Sequence, residues 1–190
     1  MTYELEGSTY TVQAAPTLTN YEYVSSDPTV ESTFTVTGVK IIYHYYKSTI
    51  KYLFDKGVQK LTFTPTGNVT STSGTVSFVN PGSNISGYYS LLTTVDVTDY
   101  SKVVFFADSA AAYSDSAASV SWQVGSKTQT IVDTGSIANP YYEWDISNLT
   151  GNIKIGIDYY GNSHFFGTGI NTAGGRANGN VVNPTIYLSN

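Results

Sequence analysis

YYEWDISNLTGNIKIGIDYYGN, from Tyr141 to Asn162, sets two strand-like alternating runs either side of a polar corner. Tyr141-Tyr142 opens it and Tyr159-Tyr160 closes it, with Glu143, Asp145 and Asp158 between. Such a stretch reads either as a chemical strip, carboxylates and rings gathered for a ligand, or as a fold element. A second segment decides most of the question. Val95-Asp96-Val97-Thr98-Asp99-Tyr100-Ser101 precedes the run at Val103 much as Trp144-Asp145-Ile146-Ser147-Asn148-Leu149-Thr150 precedes the run at Ile153. Both read aromatic or aliphatic, Asp, β-branched, hydroxyl, polar, large apolar, hydroxyl. Asp and Ser/Thr side chains bond the backbone of tight turns. Both segments therefore read as strand corners, with Tyr100 and Leu149 the expected plugs into the core. The middle of the stretch is scaffold, and contact surface is expected at its two tyrosine ends.

Outward from this stretch the same grammar repeats. KLTFTP, GTVSFV, YYSLLTTVDV, SKVVFFAD, SVSWQVG, TQTIVDT, YYEWDI, NIKIGIDYY and PTIYLSN are short alternating runs separated by Gly, Asn, Asp, Pro and Ser. Strands at this spacing without helical segments predict a two-sheet sandwich of jelly-roll type. SAAAYSDSAAS (109–119) is short and interrupted by Ser, and reads as a loop or a single turn. SHFFGTGINTAGGRANGNVVN (163–183) is rich in Gly and Asn and reads as a long loop, a kind that usually carries function or motion. Upstream, GSTYTVQAAP and YEYVSSDP are strands. STFTVTGVKIIYHYYK supplies a third and a fourth, or one long strand bulged at Gly38. STIKYLFDKG is a linker or short connecting strand. The expected fold is all-β: a small N-terminal β segment (β-grasp-like) over 1–50 that anchors or oligomerises, then an antiparallel β-sandwich (jelly roll) over 51–190.

Composition narrows the function classes. Charged residues make up 12% of the 190 residues and the net charge is −5, so there is no basic footprint for nucleic acid. No apolar run approaches the ~20 residues of a membrane-spanning helix, and no amphipathic basic segment is present for a membrane surface. The absence of cysteine excludes disulfides, thiolate metal sites and Cys nucleophiles. Solubility falls to Ser, Thr, Asn and Gly, and seventeen Tyr against eight Phe favour rings that pack while their hydroxyls stay wet. The opening MTYELEGSTY has neither the basic nor the apolar region of a signal peptide. An extracellular-looking surface without an export signal fits a virion protein released by lysis, or a module of a longer secreted protein.

Two resemblances follow from quoted residues. Residues 6–46 resemble the later part of a mucin-binding-protein (MucBP-type) repeat, with Gly7, Tyr10, Val12, Tyr21, Val24 and the Tyr43–Tyr46 cluster in the matching places and the opening strand missing. Residues 52–190, through YLFDKGVQ, TVDVTDYSKVVFF, WDISNLTGNIKIGI and PTIYLSN, resemble the carbohydrate-binding-module-like jelly rolls of tail, receptor-binding and appendage proteins of phages that infect Gram-positive bacteria. This second resemblance implies a non-enzymatic virion structural or adhesion protein that binds host-surface glycan, other virion proteins or copies of itself, located on the virion. The alternatives are a Gram-positive surface adhesin module on the bacterial cell surface and an accessory domain of a polysaccharide-degrading enzyme.

The chemistry-bearing residues agree with a non-enzyme. A glycosidase needs two carboxyl groups roughly 5–10 Å apart in a cleft. Glu143 and Asp145 lie two apart, and residues two apart on a strand share a face, yet Asp96 and Asp145 occupy equivalent turn-forming places. His44 and His164 are the two histidines, which with no Cys makes a poor transition-metal set. No cofactor is expected, although loop Asp and carbonyl oxygens leave room for a structural calcium. The doublets Tyr45-Tyr46, Tyr88-Tyr89, Phe105-Phe106, Tyr141-Tyr142, Tyr159-Tyr160 and Phe165-Phe166 are more informative. Neighbours on a strand point to opposite faces, so each doublet must turn one ring outward, a platform for sugar or protein. The expected ligand contacts are Trp144, Tyr159, Tyr160, His164 and Phe165, beside the long loop.

Overall fold

The computed structural model describes residues 6–72, 74–79, 85–114, 117–163 and 178–190. The chain forms two compact units, residues 1–50 and 51–190. No helix occurs among the described residues. In the first unit the strands are β1 (Thr9–Thr11), β2 (Tyr21–Asp27), β3 (Thr33–Thr35) and β4 (Tyr43–Ser48). They form two separate antiparallel pairs, β1 with β3 and β2 with β4. Tyr10 and Phe34 face each other across the first pair at 5.6 Å. His44 Nδ1 lies 2.6 Å from the Ser26 hydroxyl in the second, so this histidine is engaged in the fold.

The second unit holds β5 (Lys51–Asp55), β6 (Val58–Gln59), β7 (Thr64–Thr66), β8 (Val69–Thr72), β9 (Thr75–Val79), β10 (Ile85–Asp96), β11 (Lys102–Phe106), β12 (Ser109–Tyr113), β13 (Ala117–Val124), β14 (Lys127–Asp133), β15 (Gly135–Ala138), β16 (Tyr141–Asp145), β17 (Asn152–Ser163), β18 (Asn178–Val182) and β19 (Thr185–Ser189). They form three five-stranded antiparallel sheets, ordered β14-β13-β17-β10-β7, β16-β11-β19-β5-β6 and β15-β12-β18-β9-β8. The last two share one order because three strands run through both: β15 continues into β16, β11 into β12 and β18 into β19. They are two halves of one layer, kinked across its middle.

The kink has a readable cause. Asn139-Pro140 and Asn183-Pro184 interrupt two of the three strands, and both asparagines take a left-handed backbone, each with φ 49°. A proline cannot donate to a ladder, and Asn tolerates the left-handed conformation better than most residues. Bonds bridge the break: Ala107 N–H to Pro140 O (3.1 Å), Asp108 N–H to Val182 O (3.0 Å) and Asn139 N–H to Asp108 O (2.8 Å). The Asn183 amide also donates to the Asp108 carboxylate at 2.7 Å.

The kinked layer packs against the sheet containing β17, and rings cross the interface on both sides of the kink. Phe105 stacks on Trp122 at 5.2 Å, and Phe78 on Tyr159 at 5.4 Å. The inward side chains are the ones that period-two alternation selects: Leu91 and Val95 on β10, Val120, Trp122 and Val124 on β13, and Ile155, Ile157 and Tyr159 on β17, all buried. The antiparallel β-sandwich expected from the sequence is thus the architecture of this unit.

The two echoing corners match bond for bond. Asp96 accepts from Thr98 N–H (3.0 Å) and Asp145 from Ser147 N–H (2.9 Å). Tyr100 N–H then bonds Val97 O (3.0 Å) and Leu149 N–H bonds Ile146 O (2.8 Å). The plugs differ from expectation. Val97 and Ile146, the residues just after each Asp, are buried, whereas Leu149 is 37% exposed. The turn points the residue after the Asp inward and leaves the closing residue outside. Tyr100 packs only partly against the core.

SAAAY is also corrected: it is the strand β12, not a loop. Ala110 and Ala112 are fully buried, and Ala112 pairs with Gly179, where the Tyr159 ring comes closest to the backbone. Only small residues fit there, so packing overrides the low strand preference of alanine. The 163–183 segment is strand at both ends, in β17 and β18. Its residues 164–177, including His164, Phe165 and Phe166, lie outside the described residues.

Candidate functional site

The outward face of the half-layer ordered β16-β11-β19-β5-β6 carries a row of rings. On β11, Val103 and Phe105 are fully buried inward, so Lys102, Val104 and Phe106 point outward. Register then places their neighbours. Phe106 lies opposite Tyr141, Val104 opposite Glu143 and Tyr187, and Lys102 opposite Asp145. Tyr187 in turn lies opposite Tyr52. Tyr141, Phe106, Tyr187 and Tyr52 therefore form a row across four adjacent strands, β16-β11-β19-β5. At roughly 4.8 Å per strand the row is about 14 Å long.

Two neighbouring pairs are in ring contact, Tyr52 with Tyr187 at 5.5 Å and Phe106 with Tyr187 at 6.5 Å between centroids, and Tyr141 stands opposite Phe106 in register. Tyr141 is 62% exposed. Val104 sits beneath the row at 2% exposure, flanked by Glu143 and Tyr187.

Charge borders the row. Lys102 Nζ lies 2.8 Å from Glu143 Oε1, and the Tyr141 hydroxyl donates to Glu143 Oε2 at 3.2 Å. The Lys102 bond holds the Glu143 carboxyl below its ordinary pKa, and the same bond raises Lys102. Burial, with Glu143 secondary, raises the Tyr141 phenol, and burial with Tyr52 secondary raises Tyr187. Both hydroxyls stay protonated at neutral pH. An exposed pair of this kind adds little stability; it fixes one edge of the row and offers donors and acceptors beside the rings.

The arrangement lacks a glycosidase pair. Glu143 is committed to Lys102 and Tyr141, and Asp145 to its own corner. The Ser147 bonds depress Asp145 and the Thr98 bonds depress Asp96. A general acid needs a raised pKa. Among the described carboxylates with a resolved shift only Asp158 is raised, by burial, and its cross-strand neighbours are Ser90 and Ser121, not a second acid. Among the described residues no three His, Asp or Glu side chains cluster for a metal.

The expected contact residues separate. Tyr159 belongs to the core: it is fully buried, stacked between Phe78 and Tyr89 at interplanar angles of 14° and 11°. Trp144 shares the inward face of β16 with Tyr142, 5.4 Å from it, and packs on the core's margin. Tyr160 faces outward on the other sheet, against Tyr88 at 4.8 Å. Along that same face runs a shallow groove of about 180 Å³ lined by Thr64, Thr66, Leu92, Thr94 and Lys154. Trp144 and Tyr160 thus lie on different sheets. Each described doublet in the sandwich does split, with Phe105, Tyr89, Tyr142 and Tyr159 inward and Phe106, Tyr88, Tyr141 and Tyr160 outward. Tyr52 and Tyr187 escaped notice because neither is in a doublet and KYLFD reads as part of a linker.

No protein-family model matches the chain, and no curated protein sequence is similar to it. Among solved structures, TmCBM61 in complex with β-1,4-galactotriose aligns with 73% of this chain and 81% of its own, at 15% identity and a TM-score of 0.37. A structure of infectious bursal disease virus, Gt strain, aligns with 82% of this chain and 38% of its own, at 12% identity and a TM-score of 0.21. Neither likeness carries a functional residue to this chain.

Proposed function

We propose that this protein is a non-catalytic glycan-binding module, and that the glycan lies along Tyr52, Tyr187, Phe106 and Tyr141. The observation that carries this reading is the row of outward rings across four adjacent strands. Ring faces attract the C–H faces of sugars, while tyrosine hydroxyls, Lys102 and Glu143 can exchange hydrogen bonds with sugar hydroxyls. A row about 14 Å long suits several linked residues better than one. The corner roles of Asp96 and Asp145 and the Lys102 pairing of Glu143 support a binding role over hydrolysis.

The test is a glycan array followed by calorimetry with the best oligosaccharide. The Tyr187→Ala and Tyr141→Ala variants should bind more weakly at unchanged melting temperature. Wild-type protein that binds no glycan, or variants that bind as wild type does, would remove the reading.

We place this module on the outside of a phage particle, as part of a fibre, tail or decoration, with the first unit as its mount. Support comes from the polar, low-charge, cysteine-free composition and from the resemblance of residues 52–190. Mass spectrometry of purified particles carrying the gene tests this. Recovery from a bacterial cell-wall fraction instead would favour a surface adhesin.

A further inference from the structure

The outward face of the β17 sheet carries a second constellation that the aromatic row does not use. Tyr88 and Tyr160 stand directly opposite each other on β10 and β17, centroids 4.8 Å apart and planes 40° apart. Tyr88 is 72% exposed. Two residues along β17, on the same face and about 7 Å away by strand rise, lies Asp158. Its cross-strand neighbours are Ser90 on one side and Ser121 on the other. Both are short, and Ser121 is itself buried, so the carboxylate sits in a recess walled at one end by the two rings.

This carboxylate has no charge partner among the described residues. It is half-buried, and burial raises its pKa against the opposing effect of the Tyr159 backbone N–H. None of the described ion pairs includes it. The nearest cation on its own strand face, Lys154, lies four residues away, about 13 Å by strand rise. The facing elements contribute Ser90, Thr66, Ser121 and Thr130, all uncharged. A partly desolvated carboxylate with spare acceptor capacity is unfavourable unless something donates to it. Hydroxyls alone would satisfy hydrogen bonding but leave the charge uncompensated. A cation satisfies both, and the π faces of Tyr88 and Tyr160 favour a cation at the same place.

We propose that Tyr88, Tyr160 and Asp158 form a second site, separate from the aromatic row, that takes an amino sugar through its protonated amine. The ammonium sits in the recess over Asp158, and the sugar ring rests against Tyr88.

The test uses glucosamine tetramer, its fully N-acetylated counterpart and glucose tetramer as probes, read by backbone-amide NMR titration of the whole chain. Glucosamine tetramer should shift amides around Ser90, Ser121 and Asp158, and the other two probes should bind at least about tenfold more weakly. Asp158→Asn keeps the shape and removes the charge, and should weaken glucosamine binding at least about tenfold. Lys60→Ala, which follows β6 beside the other sheet and lies outside the aromatic row, should leave it unchanged. Equal binding of acetylated and free amines, wild-type-like binding by Asp158→Asn, or no shifts with any probe would each overturn the proposal. Shifts confined to amides around Phe106, Tyr141 and Tyr187 would assign the amine to the aromatic row instead. Because the two sites lie on different sheets, the map of shifted amides reports on each separately, so failure of this site is distinguishable from failure of the aromatic row.

Discussion

Replacing Gly179 by alanine tests the core that orients both candidate faces. Gly179 lies on β18 opposite Ala112 and Phe78. Its backbone φ is not in the left-handed region, so alanine meets no conformational penalty there. Elsewhere Gly→Ala at a compatible site is worth roughly 0.4–1 kcal/mol of stabilisation through the unfolded chain. Here a Cβ would lie 2.6 Å from Tyr159 Cδ2, 2.8 Å from Cε2 and 3.0 Å from Val120 Cγ2. The Tyr159 ring cannot retreat, because Phe78 and Tyr89 stack on it. Overpacking of this kind costs about 1–3 kcal/mol, and a ring held on both sides belongs at the upper end. After the entropic offset, Gly179→Ala should destabilise by about 2 kcal/mol. For a unit of this size that is a drop of roughly 4–8 °C in melting temperature. Chemical denaturation of wild type, Gly179→Ala, Tyr159→Leu and the double variant completes a cycle. The double variant should be more stable than the sum of the singles predicts, since the smaller side chain vacates the clash. A neutral or stabilising Gly179→Ala would refute the placement of Tyr159 in the core.

Other consequences can be checked on the same preparations. The Tyr159 hydroxyl is buried with no hydrogen-bond partner among the described residues, so Tyr159→Phe should be neutral or stabilising by up to about 1 kcal/mol in urea titration. A loss beyond that would mean the hydroxyl is satisfied. Asp96 and Asp145 have depressed folded pKa values, so their contribution is present above the unfolded value near 4 and is lost as pH falls through the lower folded one. Melting temperature should fall on acidification in that window, and less in Asp145→Asn. Asp158 is raised, so its sign is opposite: it weakens the fold once pH rises through its folded pKa. Asp158→Asn should melt higher than wild type at pH 7 and no higher at pH 3.

The fold was readable where alternation and turn chemistry agree. All nine runs named over 60–190 contain strands, and the two Asp corners stand out as an echo in the sequence itself. What escaped depended on neighbours distant in sequence. SAAAY reads as a turn by local preference and is a strand because Tyr159 and Gly179 demand small residues beside them. Leu149 reads as a core plug by hydrophobicity, but turn geometry hands that place to Ile146. The site was half legible. Doublets announce that one ring must face outward, without saying which. Burial of Tyr159 and the outward placement of Tyr160 depend on the register of β17 against β10 and β13. Tyr52 and Tyr187 join the row only because β5 pairs with β19 across more than a hundred residues of chain, a pairing that no local pattern encodes.

The most direct test of the central claim is calorimetry of the strongest array oligosaccharide against wild type, a Tyr141→Ala/Tyr187→Ala double variant and Thr128→Ala, on β14 of the other sheet and outside both proposed sites, as a control. The aromatic-row account predicts that the double variant loses affinity by at least about thirtyfold, taking roughly 1–3 kcal/mol for each of the two stacked rings by analogy with base stacking. It also predicts an unchanged melting temperature and wild-type binding by the control. Wild-type affinity in the double variant would contradict it.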